Sequence, residues 1–195
     1  MSPKWQLPDD PSMVTREYEK ILATLDNPRH RTMLQTLIDH IRFVVAGDVD
    51  GVMRTMVAEP EFGMWGPTGD TGSKGRDAVY AKYSATQGGA GISNQTVTID
   101  RFVIDDDTIV LEMTETRLLP WQLAKERGYT IDEEQGQYAV HRHCAVVIPF
   151  DDAGLMRGET NYGYGWPANP HDWERVPDED VAADYRDWLQ ALVPG

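Results

Sequence analysis

Apolar side chains fall at helical spacing in the first quarter of the chain and at alternate positions through its middle. Leu34, Leu37, Ile38, Ile41 and Val45 form one stripe, which predicts a helix from Pro28 to Ala46. Asn27 stands at its cap, Pro28 at its first position and Gly47 at its stop. Upstream, Ser12 can cap a shorter helix running to about Leu25, with Val14, Tyr18, Ile21, Leu22 and Leu25 on its apolar face. Downstream, Asp48 caps a helix containing Val52, Met53, Met56 and Val57, closed by Pro60. Glu61 to Gly66 reads as a short strand. Arg76 to about Thr86 reads as another helix, with Val79, Tyr80 and Tyr83 inward.

From there the period changes to two. Gln95 to Ile104 alternates Val97 and Ile99 with Thr96 and Thr98, and Thr108 to Leu119 alternates around Ile109, Leu111 and Met113. Asp105, Asp106 and Asp107 make the turn between them. A second pair, Tyr138 to Phe150 and Leu155 to Trp166, flanks a turn at Asp151 to Gly154. Between the pairs, residues 120–137 form an insertion of about eighteen residues, opening on a helical turn and long for a hairpin connection. Trp166 to Pro177 is irregular. A last helix from near Asp178 carries Val181, Tyr185, Trp188, Leu189 and Leu192 on one face.

The strand from Thr108 holds an oddity. Glu115 and Arg117 continue the face that Ile109, Leu111 and Met113 would bury. Unpaired buried charge is costly, so that face either opens into a pocket there or ends in solvent.

Composition narrows the function classes. A net charge of −14 argues against nucleic acid and anionic membrane surfaces as partners. The single cysteine, Cys144, excludes an internal disulfide framework and suggests a reducing compartment. No apolar run approaches a membrane span and the N-terminus lacks a signal-peptide core, so a cytoplasmic location is expected. The loop from Pro67 to Gly75 contains Gly-Ser-Lys but not the spacing of a phosphate loop.

Helices first, then a short strand and a helix, then four antiparallel strands, make an α+β order. It resembles the nuclear transport factor 2-like superfamily, with its ketosteroid isomerases and SnoaL-like polyketide cyclases. The residues carrying the likeness are Ala46-Gly47-Asp48 at a helix end, Trp65-Gly66-Pro67 at a strand exit, Gly75-Arg76-Asp77 at a helix start, and the hairpin from Val147 to Tyr164. The resemblance covers roughly residues 32–166. It implies a cone-shaped curved antiparallel sheet wrapped around the long helix; the N-terminal arm and helix in residues 1–31 and the C-terminal loop and helix in 167–195 are additions to it. It also implies a mostly apolar pocket and a homodimer through the outer sheet face.

Laid over the steroid-isomerase pattern, the oxyanion-donating tyrosine falls at His40 and a supporting tyrosine at Tyr83. The general-base aspartate falls at Gly66 and the second acid near Val146, so an isomerase of the usual kind is disfavoured. The expectation is a cofactor-independent acid–base enzyme (cyclase, isomerase, dehydratase or epoxide-hydrolase type) acting on a small apolar or aromatic molecule. The alternative is a non-catalytic ligand-binding or assembly module of the same fold. His40, Glu115, Arg117 and Tyr83 are the candidate catalytic residues. Met56, Trp65, Met113, Tyr138, Arg142, Thr160 and Tyr162 are expected to line the pocket. Each has a plainer reading: His40 as a packed histidine with both nitrogens satisfied, Glu115 as a salt-bridge partner of Arg117 or Arg142, and the rest as core. His141 and His143 share a strand face but lack a third ligand, so no metal is expected.

Overall fold

A computed structural model describes residues 5, 14–66, 69–86, 95–126, 128–163, 173–191 and 193. The elements are α1 (Arg16–Leu22), α2 (Pro28–Ala46), α3 (Val49–Arg54), β1 (Met56–Gly66), β2 (Gly69–Asp70), α4 (Arg76–Thr86), β3 (Gln95–Ile104), β4 (Thr108–Pro120), α5 (Trp121–Glu126), β5 (Gln137–Pro149), β6 (Met156–Gly163), β7 (Trp173–Val176) and α6 (Ala183–Ala191). The α2 boundaries follow from its caps. The Asn27 side chain accepts from the Arg29 amide, and Gly47 turns left-handed at φ 70°, a conformation that costs glycine little.

The strands form one sheet in the order β2-β1-β6-β5-β4-β3. Neighbours are antiparallel except β1 and β6, which run parallel. β4 pairs with β5 along the whole length of both strands. The opposite edge of β5 is shared, with β6 on Cys144 to Val147 and β7 on Gln137 to Val140.

The inner face of this sheet packs on α2. Met33, Leu34, Leu37 and Ile38 meet Ile109, Leu111, Val146, Ile148 and Met156 in the main core. Arg29, in the first turn of α2, reaches both hairpin turns, donating to the carbonyls of Asp106, Asp151 and Asp152. Two smaller clusters lie at the other end of the sheet. Leu118, Ala139 and Val176 seat α6 through Tyr185 and Leu189, while Leu119, Tyr138 and Val140 seat α5 through Ala124.

Several boundaries differ from expectation. α3 stops at Arg54, and Met56 to Pro60 is strand, because Met56 pairs with Met156 of β6. Pro60 contributes, since the residue before a proline is driven toward extended backbone. Trp173–Val176 is a strand rather than irregular chain, held by the ladder to β5. The first helix starts at Arg16, and the last at Ala183 after one 3-10 turn over Asp178–Asp180. Ser12, Pro67, residues 164–166 and Leu192 lie outside the described residues. No helix among the described residues is long and apolar enough to cross a membrane.

Candidate functional site

A cavity of about 350 Å³ opens between α2 and the inner face of the sheet, closed on one side by Val14 and Tyr18 around α1. Its wall is apolar over Leu37, Ile41, Val44, Val52, Val97, Leu111 and Met113. Its polar groups are His40, Tyr83, Lys82, Glu115, Arg117, Arg142, Glu159 and Asn161. Such a mix of apolar lining and a few convergent polar groups is typical of small-molecule sites.

His40 sits on α2 and is buried. Its Nδ1 lies 2.8 Å from Thr55 Oγ1 and its Nε2 3.0 Å from the Tyr83 hydroxyl. The Thr55 hydroxyl spends its own proton on the Val52 carbonyl at 2.6 Å, so at His40 it must accept. That places the imidazole proton on Nδ1 and leaves Nε2 to accept from Tyr83. Burial, helped by the charge of Lys82, lowers the His40 pKa from 6.5 to about 4, so the ring is neutral at ordinary pH. Tyr83 meets both His40 and Phe62 edge-on, and burial followed by Glu159 raises its pKa well above the usual value.

Glu115 and Arg142 are cross-strand partners in the β4–β5 ladder. Arg142 Nε lies 2.8 Å from Glu115 Oε2, with both side chains largely buried. Arg142 also donates to Cys144 Sγ at 3.7 Å. Burial holds the Cys144 thiol protonated, with a pKa raised to about 11. Arg117 lies two residues beyond Glu115 on the same face and lines the cavity.

Glu159 and Asn161 enter from β6. Burial drives the Glu159 pKa up, Lys82 draws it down and Glu115 adds to the rise; the net result is upward. Lys82 responds in kind. Burial lowers its pKa, Glu159 raises it and Arg142 lowers it, for a net fall. The Lys82 ammonium stands 4.5 Å above the Phe62 ring.

Of the residues expected to form the site, His40, Tyr83, Glu115, Arg117, Met113 and Arg142 meet around this cavity. The other five do not line it. Trp65 and Tyr162 are neighbours across β1 and β6 and stand 48% and 51% exposed. Thr160 pairs with Gly63 one step along the same ladder. Met56 is main core. Tyr138 is buried under the insertion, its hydroxyl donating to the Glu133 carbonyl at 2.6 Å.

The parity error on β6 has a local cause. Met156 faces the core, yet Glu159, three residues on, also faces inward. The chain passes through Gly158 at φ 136°, where Glu61 of β1 crowds so closely that a Cβ would overlap its carbonyl. A glycine within a strand is the one sequence signal of such a break. It would have brought forward Glu159, Asn161 and, on β1, Met64.

On the outer face His141 meets Thr116 at 2.8 Å, and His143 meets Thr114, Glu112 and Asp100. Among the described residues, no group of three or more His, Cys, Asp or Glu is arranged to hold a metal. In the Gly-Ser-Lys loop, Lys74 is tied to the Phe62 carbonyl and to Asp70.

No protein-family model and no curated protein matches this chain. Among solved structures it is similar to Bal32a from a soil-derived mobile gene cassette, at 16% identity and a TM-score of 0.50, covering 75% of this chain and 99% of that one. It is also similar to the epoxide hydrolase/cyclase-like enzyme SalBIII of pyran ring formation in salinomycin, at 12% identity and TM-score 0.47 over 74% and 95% of the two chains. A third is an NTF2-like protein from Burkholderia xenovorans LB400, at 13% identity and TM-score 0.46 over 69% and 90%. With a curved sheet wrapped around α2 and a cavity between them, the chain shares the fold of Bal32a, the α+β architecture that its resemblance to the nuclear transport factor 2-like superfamily implies.

Proposed function

We propose that this protein is a cofactor-independent acid–base enzyme acting on a small, largely apolar organic molecule. The observation that carries this reading is a pair of carboxyl groups in one cavity with unlike surroundings. Glu115 is matched by Arg142 at 2.8 Å, whereas burial shifts Glu159 toward its neutral acid. A carboxyl that burial holds toward its neutral form can donate a proton, and a carboxylate beside a guanidinium can accept one.

In this scheme Glu159 gives a proton to a substrate oxygen, as the carbon–oxygen bond breaks in dehydration or epoxide opening and as a carbonyl becomes an enol in isomerisation. Glu115 takes a proton from carbon or from an attacking water. Arg117 and Arg142 stabilise the negative charge that develops. Cyclisation, isomerisation, dehydration and epoxide opening all reduce to this exchange. His40 is then a positioning residue: with both nitrogens engaged, it fixes the Tyr83 hydroxyl rather than shuttling a proton.

A panel of apolar epoxides, β,γ-unsaturated ketones and β-hydroxy ketones tests the reading. Turnover of at least one, lost in both Glu159→Gln and Glu115→Gln while each variant stays folded, is the expected result. Binding without turnover across the panel would instead favour a ligand-binding module, a reading that the fully engaged His40 ring supports. A homodimer would use the outer face around Val103, which is 52% exposed, and sedimentation velocity reads it directly.

A further inference from the structure

Asn161 has one end of its side-chain amide committed and the other open. It lines the cavity from β6, is 3% exposed, and its Oδ1 has no hydrogen-bond partner among the described residues. The committed end is fixed by Glu159, two residues back on the same face of the strand. A side-chain hydrogen bond from Asn161 favours the ionised form of that carboxyl, which only a donor does. The NH2 group therefore faces Glu159, and Oδ1 is the atom left over.

The surroundings leave this oxygen unserved. Arg142 Cδ and Asn161 Oδ1 both lie beside Gly163, but the Arg142 guanidinium is paired with Glu115 and bonded to Cys144 Sγ. Gly163, the next position on that face, has no side chain to cover the oxygen. A Cβ there would stand 3.5 Å from it. A buried acceptor without a donor is costly.

We infer that the ligand of this cavity is a neutral apolar alcohol, its hydroxyl donating to Asn161 Oδ1 and its hydrocarbon body on the Leu37, Val44, Leu111 and Met113 wall. The inference rests on the reading of this cavity as the substrate site. A hydroxyl both donates and accepts. Glu159, which burial draws toward its neutral acid, can donate to the same oxygen and close a ring of hydrogen bonds through Asn161. Other small polar groups complete only part of that ring. A carboxylate has no proton for Oδ1, an ammonium has no lone pair for Glu159, and ether and ketone oxygens only accept.

The test sets octan-1-ol against its isomer 1-methoxyheptane, equal in size but without a donor. Each is titrated calorimetrically into the full chain at neutral pH. The alcohol is expected to bind about tenfold tighter, the effect of serving one buried acceptor. Asn161→Leu keeps the volume and removes the acceptor, so it should bring the two probes within about twofold of each other. Retained binding of the ether reports an intact cavity. Gly163→Ser offers Oδ1 a donor from the chain itself and should erase the preference in the same way, which keeps a decisive variant if Asn161→Leu does not fold. Equal or tighter binding of the ether means that water serves Oδ1, and overturns the inference. Binding of neither probe overturns it too, as does a preference for the alcohol that survives Asn161→Leu. The two readings separate cleanly. Alcohol preference with no turnover of any panel compound removes the enzyme and keeps the hydroxyl ligand. Turnover of an epoxide or unsaturated ketone without alcohol preference does the reverse.

Discussion

Glu115 and Arg142 face each other across the central ladder, 2.8 Å apart and turned into the cavity, with side chains only 9% and 12% exposed. At that burial the pair behaves as an internal salt bridge. Removing one partner strands the other charge, whereas removing both leaves only a packing problem. Arg142→Met is therefore expected to lose about 3–5 kcal/mol of stability. The double variant Glu115→Leu with Arg142→Met should return to within about 1 kcal/mol of wild type. Urea denaturation of the three proteins reads the difference. If the double variant is as weak as the single one, the contact is packing rather than charge.

His40 gives stability a pH dependence of definite sign. Its folded pKa of about 4 lies below its unfolded value of 6.5. The unfolded chain therefore binds the extra proton first, and stability falls as pH drops through that window. Across it the loss is of order 3 kcal/mol, at about 1.4 kcal/mol per unit. His40→Gln keeps a donor for Thr55 and an acceptor for Tyr83 but cannot titrate. Its stability between pH 6.5 and 4 should fall less steeply than that of wild type. Equal slopes would mean that His40 is not buried as the neutral ring.

Glu159 acts with the opposite sign. Its folded pKa is raised above 4.5, chiefly by burial, so the folded state holds its proton longer than the unfolded one. Its contribution is complete below 4.5 and is lost as pH rises through the folded pKa. Glu159→Gln, which carries no charge at any pH, should be more stable than wild type at pH 8 and close to it at pH 4. Melting temperatures at the two pH values measure this. A variant less stable than wild type at pH 8 would mean that the ionised carboxylate is well accommodated.

How much of this was legible in the sequence follows from where period and local chemistry agree. α2 could be read to the residue because its stripe, its Asn-Pro start and its glycine stop all say the same thing. The inward face of β4 was equally plain, since Ile109, Leu111 and Met113 set the parity that carries Glu115 inward. β6 offered no such guide. MRGETNYG has one aliphatic residue, so its aromatic, Tyr162, suggested the wrong face, and only a pairing partner fixes the register. Met64 and Trp65 present the same difficulty on β1. Both are large and apolar, and hydrophobicity alone prefers the tryptophan. β7 depends on a contact with a strand more than thirty residues earlier, which no local pattern encodes.

That last ambiguity can be checked by substitution, because the two sides of β1 differ in what they touch. Met64 lines the cavity, whereas Trp65 is 48% exposed beside Tyr162. Met64→Ala removes apolar wall from the ligand site. It should weaken octan-1-ol or any apolar ligand by roughly 1–2 kcal/mol, the transfer free energy of the lost surface. Trp65→Ser and Tyr162→Ser take away side chains that never reach the ligand, so affinity should stay within about twofold, as for surface substitutions generally. Calorimetric titration of the three variants distinguishes the faces. Strong loss on Trp65→Ser with none on Met64→Ala would reverse the register of β1 and move Met64 out of the site.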